Sequence, residues 1–212
     1  MAARKSDLHG SAPDSSAVAL LIIDMINDLE FEGGARLLPH ALAAAKRIAA
    51  LKQRARVAGV PVIYVNDNFG RWRSDFRQAV NHCLADGVRG RPLAETLRPD
   101  RDDYYVLKPK HSAFYATTLG TLVEYLGVER LILTGISGDI CVLATAMDAY
   151  LRDFEVHVPG DCVASIRPEH NRSALAYMKR VLEARTAPAA KLDLRGLASR
   201  PAGARRRAAR AR

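Results

Sequence analysis

Cys141 lies where an apolar run, Leu131-Ile-Leu-Thr134, ends in Gly135-Ile-Ser-Gly138 and a helix-like run begins. A thiol in the first turn of a helix meets outward-pointing backbone N–H groups and the positive end of the helix dipole. Both favour the thiolate, the nucleophilic form of cysteine. The competing role is that of a small buried core residue, common for free cysteine. Two further polar residues close apolar runs: Asp24 after Ala17–Ile23, and Lys108 after Tyr104–Leu107. A carboxylate, an ammonium and a thiol are the parts needed for acyl transfer: a proton carrier, an electrostatic anchor and a nucleophile. Taken singly, Asp24 can be a turn residue and Lys108 a solvated surface lysine.

The surrounding pattern shows how they could meet. The short apolar runs at 17–23, 61–65, 104–107, 131–134 and 155–158 suit strands buried on both faces, and 161–163 suits a short extra one. Helical spacing appears at 36–58, near 75–81, and at 118–126, 139–152 and 168–182. The alternation predicts an α/β fold: a three-layer α/β/α sandwich on a mostly parallel central sheet, Rossmann-like in its winding. In such sheets the site lies outside the carboxyl ends of the strands, where Asp24, Lys108 and Cys141 fall. The region 66–103 shows no legible periodicity.

The 212 residues suit one domain, expected over 17–184, between a disordered segment 1–16 and a basic, disordered tail 185–212. That tail carries nine Lys or Arg and one Asp, so +8 of the net +9 sits there and the body is nearly neutral. Weak contact with a polyanion is the most such a tail suggests, and a solvated role is favoured. Apolar runs are too short to span a bilayer, and no apolar signal core follows Arg4 and Lys5, so a cytoplasmic location without membrane contact is expected. Three cysteines without C-x-x-C spacing argue against a disulfide framework, and the six histidines form no tight ligand pair.

Three motifs carry a resemblance. Leu20-Leu-Ile-Ile-Asp24-Met-Ile-Asn-Asp-Leu29 with Glu32-Gly-Gly34, Lys108-Pro-Lys-His-Ser-Ala-Phe114, and Gly135-Ile-Ser-Gly-Asp-Ile-Cys141-Val-Leu-Ala-Thr-Ala146 resemble, in this order, the motifs of the isochorismatase-like cysteine hydrolases. The resemblance covers about residues 17–182 and implies the same three-layer fold. It implies a catalytic triad of Asp24, Lys108 and Cys141, with Lys110 a competitor for the lysine role. It also implies a cis peptide joining Ile136 to Ser137, and an oxyanion hole from the N–H groups of Ser137 and Cys141. The expected activity is metal-independent hydrolysis of a C–N bond in a small amide, ureido or carbamoyl compound through a Cys thioester. The alternatives are a nicotinamidase-like or isochorismatase-like hydrolase with an altered pocket, or a catalytically quiet scaffold with an Arg-rich tail.

Nicotinamidases of this superfamily bind a metal through an Asp-x-His element after the second strand. Here the stretch reads Asn66-Asp67-Asn68, a poor transition-metal set, so no metal or other cofactor is expected. Ile26 stands where the opening motif usually has Gln. Phe31, Asn66, Trp72 and Tyr115 are candidate substrate-binding residues near strand ends, with packing or backbone bonding as their alternative roles. The resemblance further implies a homo-oligomer acting on a small-molecule substrate.

Overall fold

The computed structural model describes residues 15–70 and 73–199. Five parallel strands pair along one path: β1 (Val18–Ile23), β2 (Val62–Asp67), β3 (Tyr104–Lys108), β4 (Arg130–Ile136) and β5 (Glu155–His157). Their order is β3-β2-β1-β4-β5, and the two-residue β6 (Val163–Ala164) pairs with the end of β4. Helices α1 (Gly34–Val57), α2 (Phe76–Cys83), α3 (Arg91–Thr96), α4 (Leu119–Tyr125), α5 (Leu143–Leu151), α6 (Pro168–Val181) and α7 (Leu194–Ser199) complete the three layers. Among the described residues no helix is long and apolar enough to cross a membrane.

The unbroken apolar run of β1 follows from its central place. Successive side chains of a strand point to opposite faces. Val18, Leu20 and Ile22 pack against α1 residues such as Leu37, Ile48 and Leu51, whereas Ala19, Leu21 and Ile23 pack against Leu119, Val142 and Met178 on the other face. A strand buried on both sides cannot alternate apolar with polar residues. β1 joins leftward to β2 and rightward to β4, so the strand order reverses there. In sheets of this kind the place for a site is outside the carboxyl ends of the strands at that reversal, here β1 and β4.

Gly135 sits in this reversal with φ +115°, and a Cβ there would lie 2.0 Å from the Ile23 carbonyl oxygen. The β1 and β4 backbones can approach this closely only because position 135 lacks a side chain. Ile23 pairs with Gly135, so the same approach fixes Asp24 beside the turn that carries Cys141.

The domain boundary expected at 184 is too early. Arg185 N–H bonds the Val156 carbonyl at 2.9 Å, Val158 N–H bonds the Arg185 carbonyl at 2.8 Å, and Ala189, Leu192, Leu194 and Leu197 are buried against the α1 face. Those apolar side chains outweigh the basic composition around them and order the chain through α7. Ser16 also belongs to the domain, its N–H bonded to the Leu126 carbonyl at 3.0 Å. The expected disorder of 1–14 and 200–212 lies outside the described residues. α3 was not legible in the irregular 66–103 region, and β6 begins two residues later than the short extra strand expected at 161–163.

Candidate active site

Three elements bring Asp24, Lys108 and Cys141 together. Asp24 follows β1 and holds the strand register one step further, its N–H bonded to the Val65 carbonyl at 2.8 Å. Its backbone has φ 53°, a left-handed conformation that Asp tolerates better than most residues. This bend turns the carboxylate across the end of β2, where Oδ1 accepts the Asp67 N–H at 2.7 Å. Lys108 ends β3 in register with Asp67 and is fully buried. Its Nζ lies 2.9 Å from Asp24 Oδ2, 3.5 Å from Asp67 Oδ2 and 3.5 Å from Cys141 Sγ, and donates to the Lys110 carbonyl at 3.2 Å. Lys110 itself is exposed and serves this cluster only through its carbonyl.

Cys141 is partly accessible, unlike Cys83 and Cys162, which are buried. The peptide joining Ile136 to Ser137 is cis. The turn that follows, Gly138–Val142, is wound wider than an α-helix: Val142 N–H reaches back five residues to the Ser137 carbonyl at 3.1 Å. Gly138 allows this turn to lie against α6, because a Cβ there would meet Asn171 Oδ1 at 2.0 Å. Ser137 Oγ donates to Asp139 at 2.7 Å, and Asp139 N–H donates to Ser165 Oγ at 3.2 Å, which ties the turn to β6. His111 Nδ1 comes within 3.7 Å of the Cys141 sulfur from the exposed side.

The electrostatics correct one expectation. Burial, followed by the negative charge of Asp24, pushes the Cys141 thiol up to about 12, and the opposing pull of Lys108 does not cancel them. Burial and the Asp24 carboxylate thus favour the protonated sulfur, against the thiolate expected from a place at a helix start. Burial likewise raises Asp24 above the ordinary carboxylate range against the pull of Lys108. Burial acts to lower Lys108, but Asp24 and then Cys141 more than offset it, so its ammonium is held above the ordinary lysine value.

A family model described as the isochorismatase domain matches residues 18–189. The chain belongs to the isochorismatase family. An uncharacterized isochorismatase family protein of Bacillus subtilis (strain 168) is 43% identical over 164 residues, covering 77% of this chain and 90% of that protein. Maleamate amidohydrolase of Pseudomonas putida is 32% identical over 156 residues, covering 68% of this chain and 71% of the other. Among solved structures, N-carbamoylsarcosine amidase from Thermoplasma acidophilum is 26% identical with a TM-score of 0.63, over 83% of this chain and 98% of its own. An isochorismatase family protein from Desulfovibrio vulgaris is 26% identical and superposes with a TM-score of 0.69, over 84% and 97% of the two chains.

Of the side chains expected to line an isochorismatase-family pocket here, Asn66 does something else. It is fully buried, and its amide accepts the Ile26 N–H at 3.2 Å and donates to the Ile26 carbonyl at 2.8 Å. Both ends are therefore engaged in stapling β2 to the loop after Asp24. Phe31 and Tyr115 are exposed in loops beyond the carboxyl ends of the strands, 43% and 60% accessible. Trp72 lies outside the described residues. Two surface concavities, one bordered by Gln53, Val57 and Leu192 and one by Tyr104, Tyr105 and Tyr125, include none of the three clustered residues in their walls.

The metal site of nicotinamidases does not fit this donor set. Asp67 faces Lys108 and accepts the Phe69 N–H at 2.7 Å, and Asn68 Oδ1 accepts the Gly70 N–H at 2.9 Å. A carboxylate already paired with an ammonium, next to an amide spent on its own turn, is a weak ligand set for a transition metal.

Proposed function

We propose that this isochorismatase-family chain is a metal-independent cysteine amidase that hydrolyses a C–N bond of a small amide, ureido or carbamoyl compound. The observation that carries the proposal is the continuous contact from Asp24 through Lys108 to Cys141, 2.9 Å and then 3.5 Å, beyond the carboxyl ends of β1, β3 and β4. The amidohydrolase and amidase names of the relatives support the bond type.

In the proposed cycle Cys141 Sγ attacks the carbonyl carbon while its proton passes to Asp24. Transfer to a carboxylate that burial has already made more basic avoids building a free thiolate beforehand. The N–H groups of Ser137 and Cys141 receive the negative charge that develops on the carbonyl oxygen, an effect of about 3–4 kcal/mol per donor in such sites. Asp24 then hands its proton to the nitrogen, the C–N bond breaks, and ammonia or an amine leaves behind a Cys141 thioester. Water cleaves the thioester and restores the thiol. Lys108 stays charged throughout, holding Asp24 in place and offsetting the negative charge that shifts between oxygen and sulfur.

A panel of small amides and ureido compounds, assayed for ammonia or amine release, tests this. Turnover is expected in the native protein and not in Cys141→Ser. Full turnover by Cys141→Ala on a substrate of this class would refute it.

A further inference from the structure

The proposed cycle moves protons in two stages, and Asp24 serves the first, taking the thiol proton and handing it to the leaving nitrogen; the second stage, hydrolysis of the thioester, has been given no proton carrier. Asp24 is buried, 5% accessible, with Oδ1 on the Asp67 N–H and Oδ2 on Lys108 Nζ. Once Cys141 is acylated, water must open the thioester, and the exposed His111 stands 3.7 Å from the sulfur through Nδ1.

His111 is held there by anchored neighbours. Its preceding residue gives its carbonyl to Lys108 Nζ at 3.2 Å. Its following residue, Ser112, donates through Oγ to the Asp148 carboxylate on α5. Ala113 N–H donates to Thr145 Oγ1 at 3.0 Å, and the same hydroxyl donates to the Cys141 carbonyl at 2.7 Å. One threonine therefore couples the His111 loop to the nucleophile turn, and the imidazole and the sulfur keep a common frame.

We propose that His111 is a second catalytic acid–base, which takes a proton from the hydrolytic water and returns it to the departing Cys141 sulfur. This rests on Cys141 being the nucleophile. With the proton on Nε2, the free Nδ1 accepts a water proton while the water oxygen bonds to the thioester carbon. The tetrahedral intermediate collapses, the C–S bond breaks, and the Nδ1 proton passes to Sγ. The products are the carboxylic acid, a free thiol and a neutral imidazole, with water the only co-reactant.

The test uses p-nitrophenyl acetate, which separates acylation from deacylation. Native protein should release a burst of p-nitrophenolate followed by steady turnover. In His111→Gln the burst should persist while the steady rate falls about 100- to 10,000-fold, and intact-mass measurement should show an acetyl group accumulating on Cys141. Equal deacylation rates in the two proteins would overturn the role. A lost burst with unchanged deacylation would move His111 to the acylation step and also overturn it. If native protein and Cys141→Ser alike show no burst and no adduct, the nucleophile assignment falls first and this proposal with it.

Discussion

Asp24→Asn separates the two charges that act on the Cys141 sulfur. Asn keeps the size of the side chain, tolerates the left-handed φ of 53°, and can still accept the Asp67 N–H. It removes the anion that helps push the thiol up to about 12 and leaves Lys108 Nζ, 3.5 Å from the sulfur, with Asp67 as its remaining carboxylate. Two unit charges about 4 Å apart interact by about 1 kcal/mol in water and about 4 kcal/mol at an effective dielectric constant of 20. With about 1.4 kcal/mol per pKa unit, the thiol should fall by about 1 to 3 units. At about pH 7.5 the thiolate fraction then rises about 10- to 1,000-fold, while each thiolate becomes less nucleophilic with a Brønsted slope of about 0.4–0.5. The net gain in alkylation is about 3- to 50-fold. Iodoacetamide labelling of Cys141, followed by peptide mass spectrometry at fixed pH, measures it. Hydrolysis of an amide should move the other way, falling at least about 100-fold, because the proton carrier is gone. Alkylation that is equal or slower in Asp24→Asn would refute the account of the sulfur as a thiol held protonated by its neighbour.

Lys108→Met should lower turnover and slow alkylation of Cys141 below the native rate, since the cation that favours the thiolate is lost; the same labelling assay reads it. Gly135→Ala should destabilise the fold by about 2–5 kcal/mol, because positive φ and a Cβ 2.0 Å from the Ile23 carbonyl oxygen act together; the shift in urea midpoint reports it. Asn66→Leu should cost about 2–5 kcal/mol by orphaning the Ile26 N–H and carbonyl, with no compensating change in KM if the residue is a staple rather than a substrate contact. His157 is buried, and burial foremost holds it below the ordinary histidine value of 6.5. The unfolded chain therefore binds more protons below that value, and stability should fall as pH drops from about 6.5 through the depressed folded value. His157→Gln should flatten that part of a stability–pH curve measured by denaturant unfolding.

The parts legible in the sequence are those where local pattern and global position agree. β1 reads as a buried strand because both of its faces are core, and Asp24, Lys108 and Cys141 announce themselves by closing apolar runs. The remainder depends on contacts between segments distant in the chain. α3 spans only six residues, and Gly90 just before it is held by close approach to the Asn27 carbonyl. α7 was hidden by the arginines around it, although Leu192, Leu194 and Leu197 were a signal that an apolar face existed. Asn66 could equally have lined a pocket, and only the fold puts both ends of its amide on Ile26. His111, three residues after Lys108, was visible as a residue but not as a neighbour of the sulfur, because the loop crossing to α5 is fixed by Thr145 and Asp148.

The electrostatics of the Cys141 sulfur do not follow from its place in the motif. A helix-start location suggested a thiolate, but a dipole worth about 0.3–1 kcal/mol is small beside the burial of the sulfur and a carboxylate in contact with it. Lys108 then has a different task from activating a free thiolate. In the proposed cycle Asp24 starts ionised and Cys141 protonated, with Asp67 a second carboxylate 3.5 Å from the same ammonium. Moving the thiol proton to Asp24 then transfers the negative charge to sulfur, 3.5 Å from Lys108, without changing the net charge of the cluster. On the proposed cycle the lysine would stabilise both ends of the proton transfer, and the cost of burying a new charge would be avoided. The proposal then has the nucleophile released when an electrophile arrives and protected otherwise. The native thiol should accordingly be sluggish toward iodoacetamide yet competent toward a bound carbonyl, and a native Cys141 that alkylates faster than the Asp24→Asn variant would contradict that division of labour.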